Sequence, residues 1–181
     1  MPPSHFIPDA EFAPAPIGTR VRMMTLLSIV SAVVITAVVP VLMLQERRPP
    51  PWPVFLMTGI APAVVAAIWF TARIRRYRVV EAVLQVELPF RTVRFPLEGL
   101  KDVTPDREAL RGARKIIGND GLRAISGRFR SRHLGAFRAY VTDAEHAVVL
   151  RWPDRCVVIS PDQHSWFVET VRKRAGLFRR L

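Results

Sequence analysis

The sequence predicts a membrane-anchored α+β protein, in which a pair of transmembrane helices precedes about seven short strands and one closing helix. Three observations predict it. Two long uncharged runs lie between residues 23 and 72, a strict alternation of apolar side chains begins near residue 80, and a helix-start signal stands at Ser160. Composition agrees. Half of the 181 residues are hydrophobic while the formal net charge is +12, a combination that calls for segregation along the chain rather than one compact soluble globule.

The first run, Met23 to Leu44, has 22 positions without a charge; at about 1.5 Å per residue a helix of that length spans the roughly 30 Å hydrocarbon core. The second, Val54 to Ala72, has 19, with Trp52 and Trp69 as interfacial anchors. A transmembrane hairpin over residues 23–72 follows, with spans 23–44 and 54–72. A cleavable signal peptide fits less well, because a proline-rich leader precedes the run and "QERRPPP" follows it. Neither run shows the polar face of a surface helix, and Pro40 and Pro62 are kinks of the kind lipid-embedded helices tolerate. Small residues recur every four positions, at Ser28, Ala32 and Thr36 and at Gly59, Ala63 and Ala67. Such ridges suit packing of the hairpin on itself or pairing of two copies into a homo-oligomer. No ionisable residue lies within either run, which argues against a transporter and for an anchor.

Arginine distribution sets the expected orientation. Arg20 and Arg22 precede the first run and Arg73, Arg75, Arg76 and Arg78 follow the second, against Arg47 and Arg48 in the connecting turn. Positive charge favours the cytoplasmic side, so both termini are expected inside the cell membrane, with Arg73, Arg75, Arg76 and Arg78 touching anionic headgroups. Residues 1–22, rich in proline and without periodicity, read as a disordered cytoplasmic tail.

Residues 77–181 read as a cytoplasmic β-rich domain. Val80, Ala82, Leu84, Val86 and Leu88 alternate with polar residues as in one half-buried strand, and Val93, Phe95 and Leu97 form its hairpin partner. Further strands are expected at 101–103, 121–129, 137–142, 147–152 and 156–159, with "IGNDGL" as a turn. Ser160, Pro161, Asp162 and Gln163 form a capping box opening a helix over about 161–180. Its apolar face is Trp166, Phe167, Val168 and Val171, and Arg172, Lys173, Arg174, Arg179 and Arg180 gather at its carboxyl end.

The run from "VVEAVLQVELPFRTVRFPLEGLKDV" through "SGRFR" and "RAYVTD" to "VISPDQHSWFVETVRKR" resembles a bacterial pleckstrin homology (PH) domain, in the arrangement where two membrane spans precede it. The resemblance covers roughly residues 77–175. It implies a PH-like seven-stranded bent sheet or partial barrel capped by the C-terminal helix. Inositide-binding members use a basic loop between the first two strands; the corresponding "LPFRT" holds only Arg91, with Arg94 just beyond.

A second basic group, Arg123, Arg128, Arg130, Arg132 and Arg138, reads as a patch for an anionic partner or the bilayer, or else as a solvated strand face in a chain whose 27 basic residues include only three lysines. Catalysis finds little support. His5, His133, His146 and His164 are scattered without metal-ligand spacing, Cys156 is placed as a small buried hydrophobe, and paired carboxylates for acid and base work are not evident. No cofactor, metal or nucleic acid is expected. The expected function is a non-catalytic, membrane-tethered interaction module binding an unidentified protein or peptide at the inner face; the alternative is an anionic-lipid sensor working through the arginine patch.

Overall fold

The computed structural model describes residues 9–45 and 52–177. Helix α1 (Thr19–Val33) passes through a π-helical stretch (Val34–Val38) into α2 (Val39–Gln45), and α3 (Trp52–Thr71) returns antiparallel beside it. The π stretch has a cause two residues beyond its end. Pro40 has no N–H for the Thr36 carbonyl and its ring crowds that carbonyl, and a widened turn relieves both conflicts. Pro62 likewise leaves the Thr58 carbonyl without its helical donor, and the Thr36 hydroxyl donates to that oxygen at 3.5 Å. Among the described residues one helix, Thr19–Leu42 at 24 residues, is long and apolar enough to cross a membrane; the second qualifies only as a shorter apolar helix over Thr58–Thr71. Ala32 and Thr36 of the first small-residue ridge face α3, whereas nothing lies within 4 Å of a side chain built at Gly59, and Ala63 and Ala67 are exposed. The expected turn residues Arg47 and Arg48 lie outside the described residues.

Two sheets make the domain. The first is the antiparallel meander β1 (Ala10–Phe12), β2 (Arg76–Val80), β3 (Val83–Glu87) and β4 (Thr92–Pro96). The second contains β5 (Asp102–Pro105), β6 (Arg114–Asp120), β7 (Ile125–Ser131), β8 (Gly135–Val141), β9 (Val148–Arg151) and β10 (Cys156–Ile159), in the order β5-β9-β10-β8-β7-β6 with β10 parallel to β8. Between the sheets Tyr77, Val79, Leu84, Val86, Phe95, Tyr140, Leu150, Val157 and Ile159 form the main core, closed by Phe167 and Val171 of α4 (His164–Arg174). A second apolar cluster covers the opposite face of the larger sheet, where Ile125, Phe129, Phe137 and Val158 meet Ala109, Leu110 and Val21.

Four expectations are corrected. Residues 9–18 are not a disordered tail: β1 adds to the free edge of β2, Phe12 packs on Trp166 and Phe167 at 4.5 and 5.0 Å, and Ala15 is buried. Residues 1–8 lie outside the described residues. The single strand at 80–88 is a hairpin folded at Glu81 and Ala82, with Val79 opposite Leu84 and Tyr77 opposite Val86. Odd positions therefore point inward before the turn and even ones after it, a switch that Val80 and Ala82 disguise because they are apolar as well. Strand β6 occupies residues read as loop and turn, so β2–β10 supply nine strands rather than seven; only Gly121 to Ala124 form the turn, tied by the Asn119 amide donating to the Leu122 and Ala124 carbonyls. Finally, Ser160 does not cap the helix, which begins at His164 with Gln163 at the cap and without a side-chain capping bond. The basic C-terminal turn, Arg172 to Arg174, is as expected; Arg179 and Arg180 lie outside the described residues.

Ser160 has a different task. Its fully buried hydroxyl accepts the Thr142 amide at 2.8 Å and lies 3.0 Å from Thr142 Oγ1, which itself donates to the Ala15 carbonyl at 2.7 Å. The Thr142 proton is thereby committed, and Ser160 is the donor between the two hydroxyls. Ala15 N–H donates to the Ser160 carbonyl and Gly18 N–H to that of Thr142, so the leader is sewn to β8 and β10 immediately before α1 starts. The helix then roots in the domain. Val21 is 1% exposed, the Thr25 hydroxyl donates to the Gly121 carbonyl and accepts the Arg123 amide, both at 3.1 Å, and the Arg123 guanidinium lies 4.5 Å over Trp69 of α3.

Ser160→Ala strands the buried Thr142 amide and is expected to cost about 1–3 kcal/mol. It should lower the thermal midpoint and expose residues 9–18 to protease. Gly121→Ala, at φ 116° with Met24 Cβ 2.8 Å from the added carbon, should loosen the helix root and depress the midpoint as well. Tyr77, fully buried and donating to the Tyr140 carbonyl at 2.8 Å, has its phenol pushed by burial well above the ordinary 10.0. The folded state then keeps a proton the unfolded state releases, so stability is full below about pH 10 and falls as pH rises beyond it. Denaturant midpoints taken across that range should show the decline in the wild type and a flatter profile in Tyr77→Phe.

Candidate functional site

The sandwich is open along one side, between the β3–β4 connection and the strands β6, β7 and β8. Register explains what faces that opening. Arg138 of β8 sits beside Val157 and Tyr140 beside Ile159, so Arg138 belongs to the inter-sheet face of the larger sheet. Arg128 of β7 lies directly opposite Arg138, on the same face. The smaller sheet does not reach this far, and the two arginines stand at the unfilled margin of the core, exposed.

Two hollows meet at this pair. One, of about 800 Å³, runs from Ile68, Thr71 and Ala72 at the end of α3, past Phe90, Arg91 and Val93, to Lys115, Ile117, Arg128 and Arg138. The other, of about 520 Å³, continues beyond the same arginines to Phe95, Asp154, Arg155 and Cys156. Gly118 faces Gly127 along this lining, where β6 and β7 approach so closely that a Cβ on either would fall 2.2 Å from the carbonyl of Ser126 or Ile117. Phe90 is 79% and Ile117 66% exposed beside four cations, and among the described residues no carboxylate lies within ion-pair distance of Arg91, Lys115, Arg128 or Arg138.

The five arginines expected to form one patch are divided among three places. Arg128 and Arg138 hold the seam. Arg123 stacks on Trp69 at the helix root. Arg130, further along β7, and Arg132, just past its end, lie with Arg111, Arg114 and His133 around a separate hollow of about 780 Å³. The four arginines after α3 divide too: Arg73 and Arg75 are exposed, whereas Arg76 pairs with Glu11 at 2.6 Å and Glu87 at 2.8 Å. Arg78 lies 3.4 Å from Glu87, 3.9 Å from Glu11 and 4.0 Å from Asp9. The Glu11 hydrogen bond raises the Arg76 guanidinium above its ordinary range, and the pair clamps β1 to β2.

Sequence reading missed Lys115, Phe90 and Ile117 as parts of a site. Their signal is positional: it appears only when β6 is recognised as a strand and registered against β7. The loop between the first two strands of the domain is Glu81–Ala82 rather than "LPFRT", and it holds no basic residue. The other reactive groups lie elsewhere or are blunted. His146 Nδ1 is 2.7 Å from Asp143 and its ring 5.9 Å from His164, His133 is 3.5 Å from Asp106, and burial pushes the half-buried Cys156 thiol up.

No curated protein and no solved structure matches this chain. A family model described as bacterial PH domain matches residues 75–175, which is more than half of the sequence and includes every strand from β2 to β10 together with α4. With a bent two-sheet core closed by a C-terminal helix, the chain belongs to the bacterial PH domain family.

Proposed function

We propose that the chain is a non-catalytic interaction module tethered to the inner face of the cell membrane, with its two apolar helices inserted as a hairpin and both termini in the cytoplasm. The observation that carries this reading is the common origin of the helices. α1 starts from Gly18, whose N–H is bonded to Thr142, and α3 ends at Thr71 only five residues before β2, so both leave one end of the PH domain, joined there by Thr25, Arg123 and Trp69. Exposed Met23, Leu26, Leu27, Val30 and Val33 along α1 suit a lipid environment. Arg73 and Arg75, free of the carboxylate cluster, are the residues positioned to meet anionic headgroups, and the reading supplies them with about 1 kcal/mol each near such a surface.

A PH domain held at the bilayer meets membrane-bound partners at high local concentration, so a modest affinity suffices. A protein or peptide partner is one class of ligand. Recognition of anionic lipid is favoured by one specific observation: the unpaired cations of the seam open beside the end of α3.

The full-length chain is expected to stay in the membrane through alkaline carbonate washing. A green fluorescent reporter fused after Leu181 should be bright, and an alkaline phosphatase fused there inactive. Release by carbonate, or an active phosphatase, overturns the anchored arrangement.

A further inference from the structure

We infer that the seam between the sheets binds the phosphate of an anionic phospholipid taken from the adjoining leaflet, with Arg128 and Arg138 as its principal ligands and Lys115 and Arg91 on its flanks. This rests on the membrane reading above and assigns it a ligand and a site. The site lies on the strand faces at the open margin, away from the first-hairpin turn.

Three observations converge. First, Arg128 and Arg138 face one another across adjacent antiparallel strands, and like charges so placed repel unless an anion lies between them. Two guanidinium forks lining one hollow suit a phosphate, which accepts paired N–H donors from each. Second, the hollow is walled on one side by Ile68, Thr71 and Ala72, the last turn of the helix that returns from the membrane, adjacent to Trp69. A headgroup in the seam has its chains directed toward that wall. Third, Phe90 and Ile117 leave large apolar side chains exposed next to the cations, an amphipathic lining that matches a headgroup joined to its glycerol and upper acyl chain.

An acidic peptide is disfavoured at this location. Adding a strand to the free edge of β6 requires a regular row of backbone groups, and that edge is broken by an irregularity between Lys115 and Ile117. The remote basic hollow around Arg130 and Arg132 lacks the helix wall and gives an internal control.

The test uses the full-length chain, purified in neutral detergent and equilibrated with mixed micelles holding equal amounts of phosphatidylglycerol and phosphatidylcholine, after which bound lipid is identified by mass spectrometry. The wild type should retain phosphatidylglycerol preferentially. Arg128→Gln with Arg138→Gln should reduce that retention about tenfold, consistent with loss of two charge-assisted contacts, while Arg132→Gln leaves it unchanged. The Lys pair, Arg128→Lys with Arg138→Lys, should retain an intermediate amount because it keeps charge and loses the forks. Without lipid, Arg138→Gln alone should melt no lower than the wild type, since it removes a like-charge opposition; this single variant carries the test if the double one fails to fold. Equal retention of the two lipids, or undiminished retention in both the double and the single variant, overturns the inference. Displacement of the lipid by glycerol phosphate or by an acidic peptide at matched concentration overturns the lipid source. Failure of the membrane reading would show separately, as a chain that stays monodisperse without detergent.

Discussion

The chain is fastened to its sheet domain before it enters the apolar helix, and the geometry of everything downstream depends on that fastening. The Thr142–Ser160 hydroxyl pair holds the Ala15 carbonyl, and the Ala15 and Gly18 amides are bonded to the same two residues' carbonyls. Helix α1 therefore starts from a fixed point rather than from a flexible leader. Its first turns continue the constraint through Val21, buried in the second apolar cluster, and Thr25, which satisfies both a carbonyl and an amide of the β6–β7 turn. With α3 pressed on the same turn through Trp69 and Arg123, helices and domain have little independent freedom, and the seam keeps a set position relative to the ends of the helices.

Charge is sorted by what each cation faces. Arg76 and Arg78 look like part of a membrane-proximal cluster in the sequence, yet three carboxylates, Asp9, Glu11 and Glu87, occupy them in a network that crosses from β1 to β3. Two of those carboxylates arrive only because the leader folds back. Exposed ion pairs are individually weak, but these share partners and flank a strand already held by backbone bonds, so they fix the register of β1 more than they add stability. Arg75 and Arg73, one and three residues closer to the helix than Arg76, make no ion pair among the described residues and keep their charge available. The same contrast separates Arg123, spent on an aromatic face, from Arg128 and Arg138.

What could be read in the sequence was what local pattern determines. Uncharged runs, the inward alternation of Val93, Phe95 and Leu97, and the basic end of the last helix all depend on neighbours within a few positions. The failures share a different cause. Ser160-Pro161-Asp162-Gln163 has the composition of a capping box, but a residue flanked by β10 and a returning leader is more valuable as a buried hydroxyl satisfying Thr142 and Ala15 than as a cap. Glu81 and Ala82 make a tight turn with Glu81 at φ 52° and none of the glycine or asparagine that usually announces one. Leader residues with no periodicity became a strand because β2 offered an unpaired edge and α4 an apolar surface for Phe12. The seam was hidden for the same reason, since its members come from five elements and meet only once β6 is in register.

Arginines on the inward face of an open sheet also serve a defensive purpose, because charge at an unpaired margin discourages a second chain from adding there. That purpose would explain one arginine on β7 or β8. It does not explain two placed directly opposite each other, where their repulsion weakens the very strands they would protect, nor the approach of Arg91 from the other sheet and Lys115 from β6 toward the same hollow. Convergence of cations from four strands or connections, none of them within ion-pair distance of a carboxylate among the described residues and with an apolar wall supplied by α3, is the arrangement expected where the compensating negative charge comes from outside the chain. The open side of the sandwich is then the surface of this PH domain suited to an anionic ligand.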